Sequence, residues 1–423
     1  MEKVWNKIRT IFIDKALRKR VVFVLVALIA FRLLSNIPIP GIDTVALDRV
    51  INGNQLLGAF NVLSGGGLSS FSIIMLGVGP YITASIIMQL LTIMVPRLKS
   101  MYQEEGELGK KKFTQYGRLL TVPLAIIQGF SLVLLLSKQG VLVDLTTFQM
   151  ISNIFVVVGG SMLLMWVGEL MSEFGIGNGV SMIIFAGIVA GLPASVAQFI
   201  FTFDVSQLPM LIGFLAVGLL IVAGVVLISE AERPIPVTYA KQVRGYGSAG
   251  GVQTYLPIRV NQAGVIPIIF GLSILMFPQI LGNMLAGSTN GVLLAISKAM
   301  LWFVNNQVAY AVTYFIFVFL FTYFYTAITF DPKQLADNLQ KGGAFIPGIR
   351  PGQATVEYIS NILTRITLVG ALFLGIIAVL PLIITSLTGV TSFALGGTAL
   401  LIVVSVVLDL IKKIEAQLSM REY

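Results

Sequence analysis

The chain has 423 residues, of which 56% are hydrophobic and 11% charged, and its formal charge is +9. It contains neither cysteine nor histidine. That excludes disulfides, thiolate nucleophiles, imidazole bases and His/Cys metal sites, and with them zinc and Ser-His intramembrane proteases.

So apolar a composition at this length is that of a membrane protein, and the positive excess reads as cytoplasmic loops facing anionic lipids rather than as a nucleic-acid surface. Residues 1–20 predict a cytoplasmic amphipathic helix, with Trp5, Ile8 and Phe12 on one face and basic residues elsewhere. Lys15, Arg18, Lys19 and Arg20 precede the apolar run 21–30 as in a signal peptide. Phe31-Arg32 and Pro38-Ile39-Pro40 follow where a small-residue cleavage site would stand, so the run reads as an uncleaved first span.

Apolar stretches of about 17–25 residues, enough to cross ~30 Å of hydrocarbon, place ten spans near 21–37, 71–95, 118–137, 149–171, 181–202, 210–229, 262–282, 307–329, 364–386 and 393–411. The basic residues check this count. Of 28 Lys and Arg, only Arg49, Lys138 and Lys298 fall outside, Arg32 lies in a span, and the remaining 24 face inward, as basic residues in short loops do. The expectation is an all-α polytopic membrane protein with both termini cytoplasmic. Spans 1–5 form an N-terminal half (21–205), spans 6–10 a C-terminal half (206–411), and 412–423 is a cytoplasmic tail.

Several irregular segments stand out. Residues 52–70 are moderately apolar, Gly-broken and too short to span. They read either as a surface loop or as a short re-entrant helix near 55–64 stopped at Gly65–Gly67, which a membrane tolerates only where protein or water surrounds it. Residues 290–304, with Trp302, read as a helix on the outer interface. The inside loops 230–261 and 330–363 are longer than a connector needs and point to a partner. In the first, Gly245, Gly247, Gly250 and Gly251 mark a turn between strands near 237–243 and 252–258. The second holds Arg350 between two Pro-Gly turns.

Within the spans, ionisable groups reduce to Arg32 and Glu169, both near an end where they can snorkel. A secondary transporter of a small solute, the alternative reading, normally carries midplane carboxylates. Asp331 and Asp409 sit at span ends, against an aspartyl protease, and no phosphate-binding Gly-x-x-x-x-Gly-Lys-Ser/Thr loop is present. Gly77-Val78-Gly79-Pro80 sits in the first third of span two and Ala263-Gly264-Val265-Ile266-Pro267 opens span seven, equivalent spans in two five-span halves of opposite orientation.

At these residues the chain resembles the SecY family of protein-translocation channels. The resemblance rests on Phe31-Arg32 with 37–43 (Ile-Pro-Ile-Pro-Gly-Ile-Asp), Ser64-Gly-Gly-Gly-Leu68, Pro80-Tyr81-Ile82, and Gly175-Ile-Gly-Asn-Gly179 with 184–193. It continues through 263–267, 344–352 (Ala-Phe-Ile-Pro-Gly-Ile-Arg-Pro-Gly) and 396–404. It implies ten helices in two pseudo-symmetric inverted halves around an hourglass pore, closed at the waist by an aliphatic ring. Matched by motif, that ring is Val78, Ile82, Val180, Ile184, Ile269 and Ile402. Branched aliphatics offer water and ions no hydrogen-bond partner, so such a constriction dewets. The resemblance makes Gln55, Leu56, Leu57, Phe60, Asn61, Leu63, Ser64, Gly65, Gly66 and Gly67 a plug. It makes spans two and seven a lateral gate, where Gln89 and Asn261 either bond across the gate or cap span ends. Arg350, and more weakly Arg244 and Lys241, would dock cytoplasmic drivers. The implied partners are SecE-like and SecG-like small membrane subunits, the SecA ATPase, the ribosome, and unfolded preproteins with their signal peptides. No cofactor is expected.

Overall fold

The computed structural model describes residues 14–40, 46–47, 61, 64–103, 105–142, 146–202, 208–239, 253–288, 290–388 and 396–419. Helix α1 is Lys15–Ser35, capped by the Asp14 carboxylate accepting from the Ala16 N–H. A 114° bend at Val95-Pro96 separates α2 (Gly79–Met94) from the short α3 (Pro96–Gln103), where proline removes a backbone donor. Next come α4 (Gly106–Lys138), α5 (Thr147–Phe174) with a Thr146/Gln149 capping box, α6 (Gly179–Thr202) and α7 (Leu208–Glu230). The C-terminal half continues with α8 (Ile266–Leu285), α9 (Gly291–Asn305), α10 (Gln307–Thr329), α11 (Pro332–Lys341), α12 (Gln353–Thr388) and α13 (Gly396–Ser419).

Every predicted span overlaps one of these helices. Among the described residues, five helices are long and apolar enough to cross a membrane on length and composition alone, six if the bent pair α2–α3 counts as one. Large apolar side chains cover the outer faces: Leu219, Leu220 and Leu227 on α7 are 71%, 74% and 69% exposed, and Phe148 on α5 is 80% exposed. Aliphatics left this open suit acyl chains, not water.

Two bundles meet along opposite seams. Helices α1–α6 form one, with α2 on α4, α4 on α5, and α1 on α5 and α6; α7–α13 form the other, around α8, α10 and α12. At one seam α8 lies against α2 and α4, and at the other α13 lies against α6. A continuous buried cluster fills the space between, drawing side chains from both bundles.

A small sheet caps the bundle, in the order β2-β1-β3, from β1 (Glu232–Tyr239), β2 (Gln253–Arg259) and β3 (Ala344–Phe345). Strand β1 begins five residues before the sequence expectation, in spite of Pro234 and Pro236, and residues 240–252 lie outside the described set. In the β1–β2 register Pro234 faces Pro257. Ile235, Val237, Ile258, Ile346 and Ile359 make a satellite core beneath the sheet, which anchors the described parts of both long loops to one platform.

Candidate pore constriction, plug stem and gate

Spans two and seven open on the same local device. Gly77 and Gly264 take the left-handed conformation, φ 58° and 61°, where a Cβ is unfavourable. Each is followed by an N-capping valine, Val78 or Val265, and by a proline in the first turn, Pro80 or Pro267. Proline there forfeits only an amide that has no helical partner. Ile82 and Ile269 each stand one turn after the capping valine, and the Ile82 and Ile269 amides donate to the Val78 and Val265 carbonyls at 3.0 and 3.3 Å. The two halves thus present matched Val/Ile pairs, and Val265, 7% exposed, lies in the same buried cluster as Ile82 and Ile269 although motif matching passed over it.

Val78, Ile82, Ile184, Ile269 and Ile402 are buried in the single cluster between the bundles, and Val180 packs against it half-buried. The six residues matched to the ring therefore come together from α2, α6, α8 and α13. They pack into this cluster and not onto the exposed outer surface.

Beside this zone runs the stem of the predicted plug. Gln55, Leu56, Leu57, Phe60 and Leu63 lie outside the described residues; Asn61 and Ser64–Gly67 are described. The Asn61 carbonyl accepts from the Gly66 amide at 2.8 Å and from the Ser64 hydroxyl at 2.9 Å, while its side-chain Oδ1 accepts from the Ser69 amide at 2.9 Å. The following turns are pinned to the end of α1. The Ile39 amide donates to Phe71 O at 3.0 Å, the Ile73 amide to Ile37 O at 3.1 Å, and the Ser70 hydroxyl to Ser35 O. Phe71 is held at φ 41°, a strained conformation for a residue with a side chain. Span two was expected from residue 71, but its helix begins at Gly79 because this pinned segment comes first.

At the seam of α8 with α2 and α4, hydrogen bonds join the elements. Gln128 of α4 donates from Nε2 to Thr83 Oγ1 of α2 at 3.4 Å, and Ser131 of α4 donates to the Ile280 carbonyl of α8 at 3.4 Å. The seam-crossing bond therefore comes from α4, not from the predicted pair. Gln89 Nε2 donates to Ser85 Oγ within its own helix, at 3.4 Å, and the buried oxygens Gln89 Oε1 and Asn261 Oδ1 have no hydrogen-bond partner among the described residues. Sequence reasoning missed Gln128 and Ser131 because a polar residue inside an apolar run carries no sign of which helix it faces.

Arg350 stands exposed between Gly348 (φ 82°) and Gly352 (φ 105°), and its carbonyl accepts from the Thr355 hydroxyl at 3.0 Å. Arg350 is thus presented on an exposed loop. Arg244 and Lys241 lie outside the described residues.

Residues 72–411 match the family model for SecY. The chain is also 41% identical over 429 residues to the protein translocase subunit SecY of Streptomyces galbus, with 96% of each chain covered. The chain belongs to the SecY family. Solved SecY-type structures share the fold. One is a SecY channel whose plug domain stabilises the closed state (TM-score 0.64, 18% identity, 95% of this chain and 92% of that one). Another is canine Sec61 in a ribosome-channel complex (TM-score 0.62, 19% identity, 95% and 92%). The SecY fold accounts for the two bundles and the seams between them, and the small-solute transporter reading is left without support.

Proposed function

We propose that this SecY-family chain is the gated conduit of a protein translocase, a multi-pass membrane protein that passes unfolded polypeptides between its two bundles and releases apolar segments through the α2/α8 seam. The observation that carries the reading is the convergence of Val78, Ile82, Ile184, Ile269 and Ile402 in one buried aliphatic cluster, with the plug stem packed beside it. A ring of this chemistry excludes hydrated ions by dewetting yet contacts any extended chain without sequence preference. Sorting at the seam is thermodynamic. Leu or Ile gains a few tenths of a kcal/mol on entering lipid, whereas a charged residue loses roughly 2.5–3.5 kcal/mol.

On this reading the ten helices at the predicted spans all cross a bacterial plasma membrane in two inverted halves, with both termini cytoplasmic. The chain performs no catalysis and needs no cofactor, so force comes from partners. SecE-like and SecG-like subunits brace the bundle. The SecA ATPase or a translating ribosome docks on the sheet platform, where the planar Arg350 fork suits carboxylates or RNA phosphates. Crosslinking a stalled secretory chain to positions 78, 82 and 402 tests the conduit. Adducts confined to surface loops would reject it.

A further inference from the structure

Gly65, in the plug stem, is enclosed on two sides. A Cβ built on it would stand 2.5 Å from Cζ of Phe31, whose ring belongs to α1, and the ring is 1% exposed. On the other side lies α6, where a Cβ built on Gly187 would collide with the Gly65 Cα, carbonyl carbon and oxygen. At the head of α2, a Cβ built on Gly77 would collide with the Ser64 backbone, and Ser64 is 1% exposed.

These glycines differ in what they require. Gly65 and Gly77 have φ of 72° and 58°, so their own backbone disfavours a side chain. Gly187 sits within the regular helix α6, where glycine is a poor helix former and nearly any other residue would do better. Only its neighbour explains it. On the same helix Gly191 faces open space, with nothing within 4 Å of a built Cβ. Gly187 also lies three residues from the ring residue Ile184, on the same helical face.

We propose that Gly187 is a gating-determining residue: its missing side chain lets the α6 backbone act as the seat for the plug stem, next to the ring. Any side chain at 187 pushes Gly65 and Ser64 off that seat and shifts the closed channel toward the unplugged state. The stem is gripped between the Phe31 ring and the α6 backbone, so the displacement scales with the size of the group added. This rests on the conduit reading, and the test separates the two.

The full chain, which has no native cysteine, is reconstituted with a single Ser64→Cys reporter in the Gly187→Ala, Gly187→Leu and Gly191→Ala backgrounds. Resting ion conductance in planar bilayers and the labelling rate of position 64 by a membrane-impermeant maleimide are both measured. Both should rise several-fold in Gly187→Ala, rise further in Gly187→Leu, and stay at the parent level in Gly191→Ala. Resting conductance and labelling in both Gly187 variants equal to the parent would overturn the seat. Gly187→Ala keeps the proposal testable if the leucine variant does not fold, since alanine favours the helix. A parent that moves no preprotein would fail the conduit reading instead, and the labelling rates would then decide the seat alone.

Discussion

Arg118 and Glu169 tie α4 to α5 by a two-pronged ion pair, with Nε to Oε1 at 2.9 Å and Nη2 to Oε2 at 2.8 Å. Helix α2 packs on both α4 and α5, so the pair braces the two helices that flank it. Arg118 is 47% exposed and Glu169 16%, so the contribution lies between that of a surface pair and a buried one, about 1–2 kcal/mol. Arg118→Ala or Glu169→Ala should each lower the melting midpoint in detergent by roughly 1–2 °C. The reversal Arg118→Glu with Glu169→Arg should recover most of the loss. A reversed pair no more stable than either single variant would remove the brace.

Replacing Ile82 or Ile402 by Asn places an amide among the aliphatic side chains of this buried cluster. The constriction should then hold water, and resting conductance should rise in both variants. Planar-bilayer recordings at the parent level for both would show that the closure lies elsewhere.

Ser131→Ala deletes the hydroxyl that reaches the Ile280 carbonyl across the α4/α8 seam. A single interhelical bond in a membrane contributes about 0.6 kcal/mol, so the open fraction of the seam should increase about threefold. Spin labels at the ends of α2 and α8, read by pulsed dipolar spectroscopy, report the separation directly. An unchanged distance distribution would mean that packing alone holds the seam.

Arg350→Glu reverses the charge of the exposed fork and leaves its two left-handed glycines intact. Motor-driven export of a preprotein should be lost while the melting midpoint stays at the parent value. Transport at the parent rate would refute docking through this residue.

Much of the bundle was legible because the bilayer imposes a length on apolar runs. What hydropathy marks, however, is the lipid boundary and not the helix end. Helix α4 starts at Gly106, twelve residues before the predicted span, and α12 starts at Gln353, eleven before its own. Those extensions carry Lys110–Lys112 and Glu357, residues that continue a helix into water. The segment 71–78 misled in the opposite sense. It is as apolar as a span but is held as turns by a positive φ at Gly77 and by bonds to residues 35–39, and composition cannot separate buried coil from buried helix. The six aliphatics proposed as the ring could be named in the sequence only through motifs. The pairing of β3 with β1, and the approach of Gly187 to Gly65, are contacts between distant segments that no local pattern announces.

The two facing prolines of the platform bear on what the molecule must avoid. Opposed prolines fit an antiparallel pair only where each residue's N–H and C=O directions point away from the partner. The amide that Pro257 lacks would therefore have faced the free side of β2, which is an edge among the described strands. A translocase handles unstructured chains all day, and an intact edge would recruit them as an extra strand. With a donor deleted from that rim, passing cargo finds a poor template and stays in transit.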